Sequence, residues 1–135
     1  MSRIKRCPAD AAFSDALRLS RGYRCEHSGI QGSKGADGPQ MQCAHIYGRA
    51  NKSTRWDTLN ALCLSVAAHR RFTENPLDFE AWLREYLGDG YLQILNEKRQ
   101  RIQKTTAQYR KEVARHYRQQ IKLMEAGPHD LVSFQ

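Results

Sequence analysis

Long apolar runs and cysteines are both scarce in this chain. No stretch approaches the roughly 18 consecutive apolar residues of a membrane-spanning helix, and the opening residues, MSRIKRCPADAAF, contain no apolar run. We therefore expect an intracellular, cytoplasmic protein with no membrane span. The four cysteines, Cys7, Cys25, Cys43 and Cys63, form no regular disulfide framework. A reducing compartment favours free thiols or a metal over disulfide bridges.

Acidic residues are scarce between residues 98 and 123. This segment contains nine Lys or Arg and only Glu112 as an acid, and its net charge of +8 equals the formal charge of the whole chain. Basic charge concentrated in one element is typical of a protein that binds a polyanion, and phosphate is the commonest polyanion in a cell. A solvated helical face has the same composition, so charge alone leaves both interpretations open.

Length limits the number of domains. A chain of 135 residues with 40% apolar residues can bury one modest core but not two. We expect a single domain, residues 1–135, of the α+β class and mostly helical. Its parts are an N-terminal helix and loop (9–40), a central unit (41–76) and a basic helical extension (77–126).

The N-terminal part is predicted as a short helix followed by a loop. Residues 9–21 place Phe13 and Leu17 at helical spacing, and Asp10 is available as a cap. Residues 29–39 contain four glycines before a proline, which makes regular structure unfavourable.

The central unit is predicted as a β-hairpin followed by a helix. Residues 41–47 indicate a strand, residues 48–54 a turn, and residues 55–64 a returning segment with a second strand. Residues 66–73 indicate a helix that ends before Pro76. The sum is a ββα unit, in which Trp56 is predicted as a core anchor and Asp57 as a cap or brace.

Helices are predicted again after Pro76. A stripe of apolar residues favours a core-facing helix that ends at Gly88 and Gly90: Phe79, Trp82, Leu83, Tyr86 and Leu87. From Tyr91 to about Met124 a helical pattern resumes, with a break at residues 103–106 where Thr105 or Thr106 can cap a new helix. Its apolar side is marked by Ile102, Tyr109, Val113, Tyr117 and Met124. The last ten residues are predicted to fray.

Three residues of the central unit have the types and the spacing of a catalytic site. His45 precedes the loop, Asn60 follows 15 residues later, and His69 lies nine residues further on. Histidine titrates near neutrality and can be a neutral base, while a second imidazole can bind Mg, Mn, Ni or Zn. A base that activates water and a divalent cation that neutralises phosphate charge are the parts that phosphodiester hydrolysis needs. Neither histidine is informative alone; their joint spacing with Asn60 favours a nuclease site.

The same stretch carries a resemblance to a family. Its matching segments are RCEHSG, CAHIYGR, KSTRWDTLNALC and AHRRF, within residues 24–72. In these segments the chain resembles small phage-type HNH endonucleases, in particular the lambdoid NinG-like recombination nucleases. The resemblance extends from about Phe13 to about Leu95. It implies a ββα-metal fold, a divalent cation, DNA as the partner, and a phage or prophage gene acting in the cytoplasm of a bacterial host cell.

The resemblance also implies roles for the trio. His45 would be the general base and His69 a metal ligand. Asn60 would either coordinate the metal or brace the loop that orients the base, and the sequence leaves that choice open. Branched or single-stranded DNA is the substrate implied by the resemblance. Whether a homodimer forms to cut both strands also stays open.

Two departures from the family pattern limit the metal sites. Ala44 stands where many HNH enzymes have an acidic or histidine ligand, so we expect a weakly held, hydrated ion. The four knuckle cysteines of the family fall on Cys25, Ser28, Ser65 and Ala68, so a structural zinc with four cysteine ligands is not expected. A rebuilt site from Cys25, His27, Cys43 and Cys63 is one alternative. Burial of Cys43 and Cys63 as small strand residues is the other.

Basic residues are predicted to bind the DNA backbone in two groups. The first surrounds the trio and consists of Arg49, Lys52, Arg55, Arg70 and Arg71. The second lies on the basic extension and consists of Lys104, Arg110, Lys111, Arg115 and Arg118. The leading hypothesis is thus a metal-dependent HNH DNA endonuclease. The alternative is a nucleic-acid-binding module with a decayed HNH fold.

Overall fold

This computed structural model describes residues 4–35 and 37–135. These ranges contain five α-helices and one two-stranded antiparallel sheet, joined by turns and loops. About half of the chain is helical, so the predicted α+β class is confirmed. None of the helices in the described ranges is long and apolar enough to cross a membrane. In chain order the elements are α1 (Pro8–Ser20), β1 (Met41–His45), a 3₁₀ turn (Thr58–Asn60), β2 (Ala61–Ser65), α2 (Val66–Glu74), α3 (Pro76–Leu87), α4 (Asp89–Arg99) and α5 (Ala107–Ala126).

The first helix begins where its sequence signals place it. Pro8 occupies the first turn, where its missing N–H costs nothing, and the Asp10 carboxylate accepts a hydrogen bond from the Cys7 N–H at 2.9 Å. The predicted range of 9–21 differs from α1 by one residue at each end. The predicted loop at residues 29–39 has a single isolated bridge, between Arg24 and Gln31, and residue 36 lies outside the described ranges.

The hairpin pairs β1 with β2 in a fixed register. Met41 lies opposite Ser65, and His45 lies opposite Ala61. β1 is two residues shorter than predicted, because the chain leaves the ladder after His45 and enters a connection built from successive turns at residues 46–60. Asp57 accepts a hydrogen bond from the Leu59 N–H at 2.9 Å and so caps the 3₁₀ turn, as predicted.

Two apolar clusters enclose the hairpin, since a two-stranded sheet is not stable alone. The first cluster joins α1, α5 and the connection through Phe13, Leu17, Trp56, Val113 and Tyr117. The second joins the opposite side of the hairpin to α2 and α3 through residues such as Leu62, Leu64, Phe72 and Leu83. β2 is therefore buried along its whole length, and Trp56 is the predicted core anchor at 4% exposure.

The aromatic stripe on α3 is only partly in the core. Leu83 is buried, but Trp82 is half-buried and Tyr86 is 45% exposed. The rings instead form a stack at the surface of the second cluster, in which Trp82 lies 5.2 Å from Phe72 and 4.9 Å from Tyr86. Gly88 ends the helix at a φ of 88°, a conformation that favours glycine, so the predicted break is confirmed there. The predicted break at Gly90 is wrong, because Gly90 lies in the first turn of α4.

The break before α5 also follows its sequence signals. The Thr106 side chain accepts a hydrogen bond from the Tyr109 N–H at 3.1 Å, which confirms a threonine cap. Val113 and Tyr117 are fully buried, as predicted for the apolar side. Ile102 is 96% exposed, because it lies in the break and not on a helix, so its assignment to the apolar side was wrong.

The C-terminal tail is bound to the domain, and the prediction that it frays is wrong. The Phe134 N–H donates to the Tyr117 hydroxyl at 3.0 Å, and the Thr58 N–H donates to Ser133 Oγ at 3.2 Å. His116 Nε2 lies 2.7 Å from the Val132 carbonyl oxygen. No local pattern indicates these contacts, because each of these partners lies at least 16 residues away along the chain.

A buried ion pair connects α1 to the connection between the strands. Arg55 donates from Nη2 to Asp10 Oδ2 at 2.6 Å and from Nε to Asp10 Oδ1 at 3.0 Å, and the side chains are only 7% and 6% exposed. Burial alone would raise the pKa of Asp10, but hydrogen bonds from Arg55 and from the Cys7 backbone outweigh it and lower the pKa to about 2. Asp10 is therefore an anion at neutral pH.

Replacing Arg55 with Met should destabilise the protein strongly. The substitution leaves the Asp10 carboxylate buried without its cation, and breaking a buried pair on one side costs roughly 3–5 kcal/mol. Urea denaturation followed by tryptophan fluorescence measures the free energy of unfolding. Arg84→Met is the control, because Arg84 pairs with Glu80 and Asp89 at the surface and should change stability little. Equal losses in the two variants would contradict the structural role of the buried pair.

Candidate functional site

A groove of about 720 Å³ runs along β1, which is an edge strand because the sheet has only two strands. One wall comes from α1 and the other from α2, so the groove lies where the two helices flank the hairpin. We call it the β1 groove. Its lining residues are Arg6, Asp10, Ser14, Arg18, Met41, Gln42, Cys43, His45, Gly48, Arg49, His69 and Thr73. Two members of the predicted trio, His45 and His69, thus share one groove.

His45 is held in one tautomer by a backbone contact. Its Nε2 lies 3.1 Å from the carbonyl oxygen of Arg55. A carbonyl oxygen can only accept, so Nε2 carries the proton and Nδ1 is left with a lone pair. Burial lowers the pKa of His45, against the opposing effects of this carbonyl and of the Asp10 charge, so the ring is neutral at pH 7.

His69 shows the complementary pattern. His69 is the fourth residue of α2, and its Nδ1 lies 2.6 Å from Oε1 of Gln42 on β1. With the amide oxygen as acceptor, Nδ1 carries the proton and Nε2 is left as the free nitrogen. Burial lowers the pKa of His69 as well. A neutral imidazole with one nitrogen fixed by a side-chain hydrogen bond is the arrangement usual for histidine ligands of metals.

Asn60, the third member of the trio, lies inside the protein. It is fully buried at the end of the 3₁₀ turn. Its Oδ1 accepts from the Tyr47 N–H at 2.8 Å, and its Nδ2 donates to the Tyr47 carbonyl at 2.8 Å and to the Thr54 carbonyl at 3.1 Å. These three bonds close the connection between the strands. Of the two roles left open by the sequence, they favour the brace over the metal ligand.

Arg55 differs most from its predicted role. Its guanidinium is buried against Asp10 and also donates to the Lys5 carbonyl at 3.3 Å, so it is not placed to contact phosphate. The same residue instead serves the site through its backbone carbonyl. Arg49 does line the groove, 25% exposed, with its Nη1 3.7 Å from Asp10 Oδ2.

The groove contains two arginines that the sequence did not single out, Arg6 and Arg18. Arg18 lies on α1 and donates to Asp15 Oδ1 at 2.6 Å, and Arg6 precedes the same helix. No local pattern could have indicated them, because only tertiary packing brings α1 alongside β1. The predicted Lys52, Arg70 and Arg71 are exposed outside the groove lining.

The basic residues of the extension are mostly on the surface. Lys104, Lys111, Arg115 and Arg118 are exposed, and Arg110 is half-buried. Arg118 donates to Asp15 Oδ2 at 2.9 Å, and Asp15 also binds Arg18 of the groove. Through this shared acid, the basic face of α5 and the β1 groove adjoin.

The residues available to a divalent cation are few. Within residues 4–35 and 37–135, no group of three or more His, Cys, Asp or Glu side chains is arranged to hold a metal ion. Asp10 lines the groove, but its oxygens are occupied by Arg55 and Trp56. A cation would therefore have the Nε2 of His69 as its protein ligand and would take its remaining ligands from water and phosphate. Such a sparse set fits a hydrated ion.

The four positions that match the family's zinc knuckle are still close together. Cys25 Sγ accepts a hydrogen bond from the Ser28 N–H at 3.4 Å, and Ser65 Oγ accepts one from the Ala68 N–H at 3.1 Å. Burial raises the pKa of the Cys25 thiol, but hydrogen bonds from Ser28 and Ser65 outweigh it and lower the pKa to about 7. Hydrogen bonds therefore join the turn at Cys25 to the start of α2.

The alternative zinc site was predicted from Cys25, His27, Cys43 and Cys63. Among the described residues, these four side chains are not arranged to hold a metal ion. Cys43 and Cys63 are cross-strand partners, and all four cysteines of the chain are free thiols. Burial raises the pKa of Cys43 to about 12 and that of Cys63 to about 11, so both thiols are neutral near pH 7. The His27 ring packs edge-on against Phe72 and Trp82 at 4.8 and 5.1 Å. Cys63 is fully buried in β2, as the second alternative expects, whereas Cys43 is half-buried.

Comparisons of the chain with protein-family models, with curated proteins and with solved structures find no match.

A zinc site should appear when three cysteines are added to the knuckle positions. In the triple variant Ser28→Cys, Ser65→Cys and Ala68→Cys, Cys25 completes a set of four thiolates, which zinc prefers. We expect about one zinc per chain by elemental analysis, and a higher melting temperature because metal binding adds to folding free energy. The same triple variant with Cys25→Ala is the control and should lose the zinc. A folded triple variant without zinc would contradict the proximity of the four positions.

Proposed function

We propose that this protein is a metal-dependent DNA endonuclease of the HNH type, which hydrolyses phosphodiester bonds. One observation carries the proposal: His45 and His69 line the same groove, each with one ring nitrogen engaged in a hydrogen bond and the other free. The two free nitrogens differ, Nδ1 in His45 and Nε2 in His69. Two neutral imidazoles in one basic groove suit a base and a ligand on either side of a phosphate.

His45 is the general base in this proposal. Its lowered pKa keeps the ring neutral at pH 7, and Nδ1 accepts the proton of the attacking water. The Arg55 carbonyl stabilises the imidazolium that forms, because it accepts from the Nε2–H at 3.1 Å. Asn60 holds the connection that carries Arg55, since its amide bonds to Thr54 and Tyr47.

His69 is the protein ligand of the cation, through Nε2. When bound, the cation neutralises charge on the phosphate and on the leaving oxygen. Gln42 fixes the ring by accepting from Nδ1–H at 2.6 Å, so the free nitrogen keeps one orientation. Because His69 is the one side chain proposed to bind the cation, metal binding would be weak in the absence of DNA. DNA therefore contributes to metal binding.

Arginines supply the contacts to phosphates beside the scissile bond. Arg6, Arg18 and Arg49 line the groove, and guanidinium groups match phosphate oxygens in pairs. Beyond the groove, exposed side chains of Lys52, Arg70 and Arg71 extend this surface, and α5 adds a second one through Lys104, Lys111, Arg115 and Arg118. Backbone contacts of this kind give affinity without base specificity. Branched or single-stranded recombination intermediates of a phage are the substrates favoured by the family resemblance.

The second candidate function is DNA binding without cleavage. It is favoured by the small number of metal ligands, since Ala44 is apolar and the described residues contain no group of three ligand side chains. Both candidates use the same basic surfaces, so binding alone does not separate them.

Cleavage should require both histidines of the groove. With supercoiled plasmid in Mg²⁺, Mn²⁺ or Ni²⁺, His45→Ala removes the base and should lower the rate by roughly 100- to 10,000-fold. His69→Ala removes the proposed metal ligand and should raise the metal concentration that is needed for cleavage. His129→Ala is the matched control, because His129 bonds to Gln120 far from the groove lining and should keep full activity.

Two outcomes would contradict the endonuclease proposal. One is cleavage that survives His45→Ala, which indicates a contaminating nuclease. The other is an absence of cleavage with every metal while DNA binding persists, which favours the binding module.

The basic face of α5 should contribute to DNA affinity through phosphate contacts. In the double variant Lys111→Gln and Arg115→Gln, the plot of log affinity against log salt concentration should lose about 2 units of slope, because each phosphate contact contributes about one. Fluorescence anisotropy with labelled DNA, recorded at several salt concentrations, measures this slope. The double variant Arg24→Gln and Arg84→Gln removes the same charge away from α5 and should leave the slope unchanged. Equal losses would show that net charge alone, and not this surface, determines binding.

A further inference from the structure

Asp10 is the one acidic side chain among the described residues that line the β1 groove. An acid beside two histidines suggests a metal ligand or a second base, but the contacts of its carboxylate argue against both. Oδ2 accepts from the Cys7 N–H at 2.9 Å and from Arg55 at 2.6 Å, and Oδ1 accepts from Arg55 and from Trp56 Nε1, each at 3.0 Å. Four donors fill the capacity of a carboxylate.

Those four bonds fix the backbone that contacts His45. The side chains of Arg55 and Trp56 are both anchored on Asp10, so two consecutive residues of the connection are held against α1. The carbonyl of the first of these residues is the group that contacts His45 Nε2 at 3.1 Å. The peptide at residue 55 cannot rotate away from His45 without breaking bonds to Asp10.

Asp10 also holds Arg49 in the groove. The separation of 3.7 Å between Arg49 Nη1 and Asp10 Oδ2 is an ion pair longer than a hydrogen bond. The negative charge of Asp10 keeps the Arg49 guanidinium near His45, while the N–H donors of Arg49 stay available to phosphate. One carboxylate on α1 thus orders two groups that belong to the connection between the strands.

We propose that Asp10 is the positioning residue of the site: it holds the Arg55 carbonyl on His45 Nε2–H and keeps Arg49 beside the reacting phosphate. The inference deepens the proposed nuclease function and rests on it. Asp10 itself touches neither DNA nor metal. Its contribution reaches the reaction through the orientation of His45 and Arg49.

The test has a spectroscopic arm that needs no activity. In ¹⁵N-edited spectra, the Nε2–H proton of His45 should be protected from exchange with water because the Arg55 carbonyl binds it, and its signal is assigned by its absence in His45→Ala. Asp10→Asn loses the charge and two acceptor sites, so the signal should broaden or vanish. Leu83→Ala is the control, since it destabilises the second cluster without touching Asp10, and should keep the signal.

The kinetic arm separates positioning from DNA binding. Asp10→Asn should lower kcat roughly 10- to 100-fold, the usual cost of removing a group that orients a site residue, and this loss should exceed any rise in KM that follows from the release of Arg49. A rise in KM with kcat unchanged would overturn the proposal, because it would place Asp10 in substrate binding.

Two milder variants keep the inference falsifiable if Asp10→Asn does not fold. Trp56→Phe removes one bond to Asp10 and keeps the ring, and Arg55→Lys keeps the charge but not the paired donors. Both should weaken the protection of Nε2–H. Protection unchanged in every folded variant would overturn the positioning role, whatever the cleavage results. Protection that follows Asp10 in a protein without nuclease activity would retain the positioning of His45 and refute only the proposed function.

Discussion

The buried pair between Asp10 and Arg55 is the interaction on which the candidate site depends. It joins α1 to the connection between β1 and β2, across 45 residues of sequence. A buried ion pair is a weak source of net stability, because desolvation offsets most of the attraction. The pair provides a fixed geometry, because the buried Arg55 guanidinium and the Asp10 carboxylate must stay in one orientation to keep their two mutual hydrogen bonds. That geometry places the Arg55 carbonyl on His45.

The remainder of the fold supports this arrangement by enclosing the hairpin on both sides. Phe13 and Tyr117 pack together in the first cluster, with ring centroids 5.0 Å apart, and Tyr117 also donates to the Trp56 carbonyl. The tail reinforces the same region through Ser133 and Phe134. The connection is thus held from α1, from α5 and from the C-terminus. A connection with so many bonds keeps the Arg55 carbonyl against the ring of His45 at the end of β1.

The turn at Cys25 and the start of α2 are held together without a metal-ligand set among the described residues. Cys25 keeps its turn through the Ser28 N–H, and Ser65 caps α2. The rings of His27, Phe72 and Trp82 pack together beside it. Hydrogen bonds and aromatic packing therefore connect this turn to α2 and α3.

Much of the local structure was predictable, because local signals determine it. The proline and acid at the start of α1, the glycine after α3 and the threonine before α5 all act within a few residues, and the strand and helix around His45 and His69 follow the apolar pattern. The candidate site was predictable only in part. Arg55 was expected to contact phosphate, yet its guanidinium is buried, and Arg6 and Arg18 had no local pattern to single them out.

Local sequence patterns were sufficient to predict the α+β class, the order of the elements and the kinds of side chain available for chemistry. How those side chains are used depends on long-range packing. The free nitrogen of each histidine, the bracing bonds of Asn60 and the burial of Arg55 all depend on partners distant in sequence. Propensity and capping act over one or two turns, whereas an ion pair or a tautomer is set by whichever group the packed fold brings within about 3 Å.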